Sequence, residues 1–197
     1  DPVVISIYYE QLIESPGHIQ PRVQVEIGCQ SLIEPQESRS INSFIDQVYP
    51  GSVFFQELIQ VPSVLPTRIF LEKLYLLHEE FQKPKEKMRV NRLSRHLYDI
   101  YQLSNAEFGP NALADEELYA IIVKHRFTKI GGIDYGLHQP QTLNPIPPQE
   151  VIEAWENDYK TMQEEMIHGA SPNFKELVLH IENLKAKINK SAWSINF

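Results

Sequence analysis

Two neighbouring stretches carry apolar residues three or four positions apart. Between Pro66 and Phe81 these are Ile69, Phe70, Leu74, Leu77 and Phe81; in NRLSRHLYDIYQL they are Leu93, Leu97, Ile100 and Tyr101. That spacing puts an apolar stripe on one side of a helix and predicts a helix pair joined by the basic linker QKPKEKMRV. Upstream the period is two. Val3 to Tyr9 is rich in β-branched and aromatic residues, and in Arg22 to Cys29 Val23, Val25 and Ile27 alternate with Gln24, Glu26 and Gly28. Both read as strands, with a turn around SPGHIQP between them. Ser31 to Ser40 reads as a polar loop, Ile41 to Val48 as a short helix capped by Ser40 or Asn42, and Phe54 to Val61 as a third strand ended by Pro62. Downstream, Ala114 to Phe127 predicts a helix with Leu118, Ile121, Ile122 and His125 inward. A helix from Pro148 carries Val151, Ile152, Trp155, Tyr159, Met162 and Met166 and stops near Gly169. A last helix, capped by Ser171, carries Phe174, Leu177, Val178, Ile181, Leu184 and Ile188. Thr128 to Pro148 is irregular, and loops of that length either close over a site or pack along the surface. The fold class is α+β: short N-terminal strands, then a helical bundle. The boundary falls between Val61 and Pro66, dividing the chain into 1–61 and 62–197.

Composition narrows the setting. No run approaches the ~18 apolar residues of a membrane span. Cys29 is the one cysteine, which excludes an intrachain disulfide and fits a reducing, cytoplasmic compartment. The net charge is −8, but Lys83 to Arg95 holds six cations against Glu86, so that window is +5 and the remainder −13. A positive segment on an acidic body points to a local anion site rather than a general nucleic-acid coat; lysines that keep an exposed loop solvated explain Lys83, Lys85 and Lys87 equally well.

Chemistry-bearing side chains gather near that segment. Arg92, Arg95, His96 and Asp99 fall on the polar side of the second predicted helix. On the second strand Glu26 lies opposite the valines, and Gly28, two residues on, leaves space beside it. Each pattern also fits a solvated polar face, and His125 fits a core edge as well as a functional position.

TRIFLEKLYLLHEEF followed by RLSRHLYDIYQL resembles the nucleotidyltransferase AbiEii/AbiGii toxin family, in which an E-K pair and an L-H step precede a helix reading R-H-x-Y-D. Glu72, Lys73, His78, Arg95, His96, Tyr98 and Asp99 stand on those positions. VQVEIGCQSLIEP resembles the segment V-x-hydrophobic-E-hydrophobic-G-A-R-S, with Glu26 as its acid and with Cys29 and Gln30 where the family has alanine and arginine. VKHRF, with His125, and DYKTMQEEMIHG resemble later steps. The resemblance implies strands from a nucleotidyltransferase-like sheet of the polymerase-beta type, and transfer of a nucleoside monophosphate from an NTP to RNA or another acceptor. It implies Mg²⁺ in the complete enzyme and an antitoxin partner. It gives catalytic roles to Glu26, Lys73 and Asp99, nucleotide binding to Arg95, His96 and Glu72, and metal binding to Glu26.

The match to that chemistry is partial. The family's Asp-x-Asp pair, placed after a Gly-Ser turn, is absent; the one Gly-Ser step, Gly51-Ser52, leads to a single acid, Glu57, and lies after Glu26. A lone carboxylate holds Mg²⁺ weakly. The chain is therefore expected to begin inside a longer protein and not to catalyse transfer by itself. Two other classes fit the same residues: a helical module that binds an antitoxin or RNA, and a metal-free ribonuclease using Arg89 and His96.

Overall fold

A computed structural model describes residues 3–14, 20–28, 35–53, 55, 57–129 and 135–196. The turn at 15–19, the end of the second predicted strand at Cys29, Gln30, the start of the 31–40 loop, Phe54 and Gly131-Gly132 lie outside them.

The period-two segments form two antiparallel hairpins. β1 (Val3–Tyr8) pairs with β2 (Arg22–Ile27) in a register that sets Val3 against Ile27 and Tyr8 against Arg22. β3 (Gln36–Ile41) pairs with β4 (Ile59–Val64), with Gln36 opposite Val64 and Ile41 opposite Ile59. Two expectations change here. Most of the polar stretch before Ser40 is a strand, and the strand placed at 54–61 begins at Ile59 and runs through Pro62. QESRSI has no apolar alternation, so its strand character comes from its hairpin partner, not from its own pattern. Pro62 is tolerated because among the described residues β4 has only one neighbour, which leaves an edge where a missing N–H costs no ladder bond. Between the hairpin arms sits α1 (Phe44–Val48), capped by Ser43, whose hydroxyl accepts from the Asp46 N–H at 3.1 Å, instead of by Ser40 or Asn42.

The helices follow: α2 (Pro66–Phe81), α3 (Arg95–Asn105), α4 (Phe108–Ala112), α5 (Glu116–Lys129), α6 (Ile152–Glu165) and α7 (Phe174–Ile188). α2 opens on Pro66, which has no N–H to leave unsatisfied in a first turn. It packs on α3, α4 and α5, and α7 packs on α3 and α6. Among the described residues every buried apolar side chain lies at Phe70 or later, in one cluster that includes Phe70, Leu74, Leu97, Ile122, Trp155 and Leu177. β1 and β2 leave Val3, Val4, Ile5, Ile7, Val23, Val25 and Ile27 exposed, on both faces of the hairpin.

Several boundaries move. α4 was not foreseen; it lies so close to α3 that a Cβ on Gly109 would stand 2.5 Å from the Ser104 Cα. The buried stripe of α5 is Leu118, Tyr119, Ile122 and Val123, with Ile121 exposed. Pro148 begins a turn and not the helix: its carbonyl accepts from Val151, and α6 starts at Ile152. α7 is capped by Asn173, not Ser171, in a reciprocal pair with Glu176 (3.0 and 2.9 Å). The described part of the 128–148 segment is packed down. His138, Pro140 and Leu143 are buried, and Gln139 and Gln141 bind main-chain groups of Ile195, Ser191 and Trp193. That part packs along the C-terminal residues of the chain.

Candidate functional site

α2 presents two polar seams, because residues seven apart return nearly to the same side of a helix. The first carries Lys73 and Glu80 and faces α3 and the basic linker. Lys73 Nζ lies 2.6 Å from Asp99 Oδ2 and 3.2 Å from His96 Nδ1, so one ammonium joins α2 to the first turns of α3. Lysine can only donate, so Nδ1 of His96 is the acceptor and the ring proton sits on Nε2. Burial, then the Lys73 and Arg95 charges, press the His96 pKa down to about 4 and keep the ring neutral. Lys73 and Asp99 remain partly open to solvent, at 21% and 39% side-chain exposure. Two of the three ammonium donors are used inside the protein, leaving one for a bound anion.

The basic linker is largely tied down. Glu80, 1% exposed, accepts the Arg89 N–H at 2.7 Å, Arg89 Nε and Nη2 at 3.0 and 2.7 Å, and Lys83 Nζ at 2.7 Å. Those contacts hold its carboxyl below the ordinary range despite the burial that opposes ionisation. Two of the six cations in the +5 window are thereby neutralised from below. Arg89 precedes α3 and is bound to Glu80, so it does not share a helix face with His96 as the ribonuclease reading requires.

Arg92 likewise lies outside the helix. Its φ is +61°, in the left-handed region that costs a non-glycine residue about 1 kcal/mol or more. The conformation is held by Asp158 of α6, whose carboxylate accepts the Arg92 N–H at 2.7 Å and the Ser94 N–H at 3.0 Å. Ser94 itself makes no side-chain cap. Asp158 thus caps α3 from another helix and sets where Arg95 and His96 begin. Arg92 and Arg95 are exposed and line a notch with Asp158 and Met162.

The second seam of α2 carries Arg68, Glu72 and Glu79. Arg68 is 2% exposed and donates Nε to Glu72 at 2.8 Å, while its Nη1 is buried with no hydrogen-bond partner among the described residues. His125, on α5, feels both charges, but burial is the main cause of its lowered pKa. Glu79 is bridged by Arg126 through two nitrogens and accepts from His138 Nε2 at 3.0 Å. His78 is fully buried, accepts the Asn144 N–H at 2.9 Å and stands edge-on to His138; burial and His138 lower its pKa to about 4. It supports the packed 135–148 segment.

Of the residues singled out in the sequence, the structure gathers Lys73, His96 and Asp99. Arg95 is at the same helix start, Glu72 is turned to Arg68 on the other seam, and the hydrogen bond of Glu26 is from Gln24 Nε2 at 2.6 Å on its own strand. Among the described residues no three His, Cys, Asp or Glu side chains stand together as metal ligands, and Glu26 alone does not make a site for Mg²⁺. Sequence reasoning missed buried Glu80, which holds Arg89 and Lys83 of the linker, and half-buried Asp158, whose partners lie more than sixty positions away; the one signal for Glu80 is a second acid beside Glu79 at the end of α2.

Lys73 of α2 is thus held between a carboxylate and a neutral imidazole beside the start of α3, which carries exposed Arg95. A family model described as "Nucleotidyl transferase AbiEii toxin, Type IV TA system" matches residues 4–182, and the chain belongs to that family. No curated protein and no solved structure matches the chain. No helix among the described residues is long and apolar enough to cross a membrane.

Proposed function

We propose that this chain supplies the phosphate-binding side of a nucleotidyltransferase that moves a nucleoside monophosphate from an NTP to RNA or another acceptor. The observation that carries the reading is the Lys73–Asp99–His96 cluster, joined across two helices on exactly the segments that resemble the family's motifs. Lys73 offers its third donor to a triphosphate oxygen as a point charge. Asp99 holds the ammonium in place. His96, kept neutral, accepts from Lys73 and leaves Nε2–H as a donor. Arg95 adds a guanidinium able to grip a phosphate through two nitrogens, and Glu26 remains the candidate acid of the strand segment. Mg²⁺ belongs to the reading only for the complete enzyme, since the carboxylates among the described residues do not form a site for it. For the same reason the chain by itself is proposed to lack transferase activity, and an antitoxin is proposed as the partner of the whole system.

Transfer of labelled nucleotide by the complete enzyme tests the assignment. Lys73→Ala and Asp99→Asn should each lower the rate at least a hundredfold while circular dichroism stays unchanged. Retained activity in both variants would remove the cluster from the active site and favour a binding module instead.

A further inference from the structure

A second site lies on the other side of α3. Its C-terminal end, α4 and α7 enclose an open cavity of about 680 Å³. Ser104, which lines it, is five residues beyond Asp99, about 7–8 Å along the axis and roughly 140° round the helix. The lining therefore shares no residue with the Lys73 cluster.

The chemistry of the cavity is one-sided. Lys187 and Lys190 line it together with the amides of Asn105 and Asn183, and among the described residues no carboxylate lines it, although the chain carries a net charge of −8. Among the described residues neither lysine has an ion-pair partner, in contrast to Lys73, Lys83 and Arg89. His180, Asn183 and Lys187 follow at intervals of three and four along α7, so they project along one side, and Lys190, just past the helix end, lines the same cavity. Leu113, Pro110 and Leu184 give the cavity an apolar portion.

The imidazole in this wall is already fixed. Ser104 Oγ donates to the Tyr101 carbonyl at 2.9 Å, so at 2.6 Å from His180 Nε2 it must accept that ring's proton. His180 also stands edge-on to Tyr101, with ring centroids 4.8 Å apart. Its neutral ring is left with Nδ1 as an acceptor. Burial, and secondarily Lys187, oppose a charge on it. Ser104, with its proton committed to the Tyr101 carbonyl, is a positioning group and not a nucleophile.

We propose that this cavity binds a nucleoside monophosphate unit, with its phosphate against Lys187 and Lys190 and its ring over the apolar portion, within reach of the two amides. The volume is in the range of pockets that take such ligands, ~300–1,000 Å³. An apolar floor beside two uncompensated cations and two amides matches a planar, hydrogen-bonding ring carrying an anionic group better than it matches a bare anion or a lipid. The same unit occurs as a free nucleotide and as one residue of an RNA strand. This inference does not depend on the transferase reading of Lys73.

Calorimetric titration of the chain with AMP, with CMP and with a six-residue single-stranded RNA separates the cases. Both lysines are exposed, so Lys187→Gln/Lys190→Gln leaves the core untouched; an unchanged melting temperature checks that. Saturable binding of a monophosphate that weakens about tenfold or more in the double variant, and persists in Lys73→Ala, supports a free-nucleotide site. The same dependence for the RNA alone, with a steep salt slope, assigns the unit to an RNA strand. Absence of binding by all three probes, binding indifferent to the double substitution, or binding lost in Lys73→Ala overturns the proposal. A failed transferase assay would leave it standing.

Discussion

At the scale of single residues, the histidines of the two seams decide how the protein responds to acid. His96 and His78 each have a native pKa of about 4, against an ordinary value near 6.5, chiefly because burial disfavours the charged ring. Between those two values the unfolded chain binds protons at both positions and the native chain does not. Acidification therefore favours unfolding: the loss begins as pH falls through about 6.5 and stops growing below about 4, on the order of 1–3 kcal/mol per ring. Glu79 and Glu80, whose pKa values are lowered, add to the loss once pH drops below the ordinary carboxylate range. Imidazole chemical shifts should show both rings neutral at pH 5.5, and the melting temperature should fall steadily from pH 6.5 to 4. Titration of His96 near 6.5 would mean that its bond from Lys73 does not persist in solution, and the cluster would lose the neutral acceptor on which its geometry rests.

Among the elements, α3 shows how a helix can be legible while its placement is not. Leu97 and Ile100 mark its buried stripe, and the stripe was readable from their spacing alone. Its start was not. Counting back along the pattern puts Arg92 on the helix, whereas Arg92 sits at φ +61° and the helix begins at Arg95. The reason is Asp158, more than sixty positions away, and no local pattern announces a cap supplied by another helix. Asp158→Ala should cost about 1–3 kcal/mol, since it leaves two N–H groups without their charged acceptor. Arg92→Gly should be neutral or stabilising by up to about 1 kcal/mol, because glycine adopts this φ without strain. Denaturant unfolding measures both. A harmless Asp158→Ala together with a harmful Arg92→Gly would show that the turn is held by the arginine side chain and not by the cap. The same distinction governs the site. Lys73 and Asp99 were singled out together by the family resemblance, whereas the capture of Arg89 and Lys83 by Glu80 depends on the path of an aperiodic linker that no pattern announces. β3 failed for a related reason: QESRSI becomes a strand only in the presence of β4, so nothing within it distinguishes it from a loop.

For the whole molecule, the distribution of burial argues for unequal halves. The described buried apolar side chains all come from Phe70 onward, while the hairpin β1–β2 exposes Val3, Ile5 and Ile7 along one strand and Val23, Val25 and Ile27 along the other. Two-stranded hairpins are marginal in water without a surface to cover one face. The helices, by contrast, share one core in which Trp155, Tyr159, Leu177 and Ile181 are fully covered, and burying such side chains is worth about 1.5–3 kcal/mol each. Stability should therefore reside in the helices. The cut between 61 and 62 falls inside β4, and within the Val61–Pro66 boundary suggested by sequence only Leu65 stands between β4 and the proline that opens α2. A chain beginning at Pro66 should fold cooperatively, with a melting temperature within a few degrees of the full chain's and the Lys73–Asp99 pair intact. Circular dichroism melts of the two proteins make the comparison. A fragment that fails to fold, or melts far lower, would show that the strands contribute a surface to the helical core, and residues 1–61 and 62–197 would then be one cooperative unit and not two.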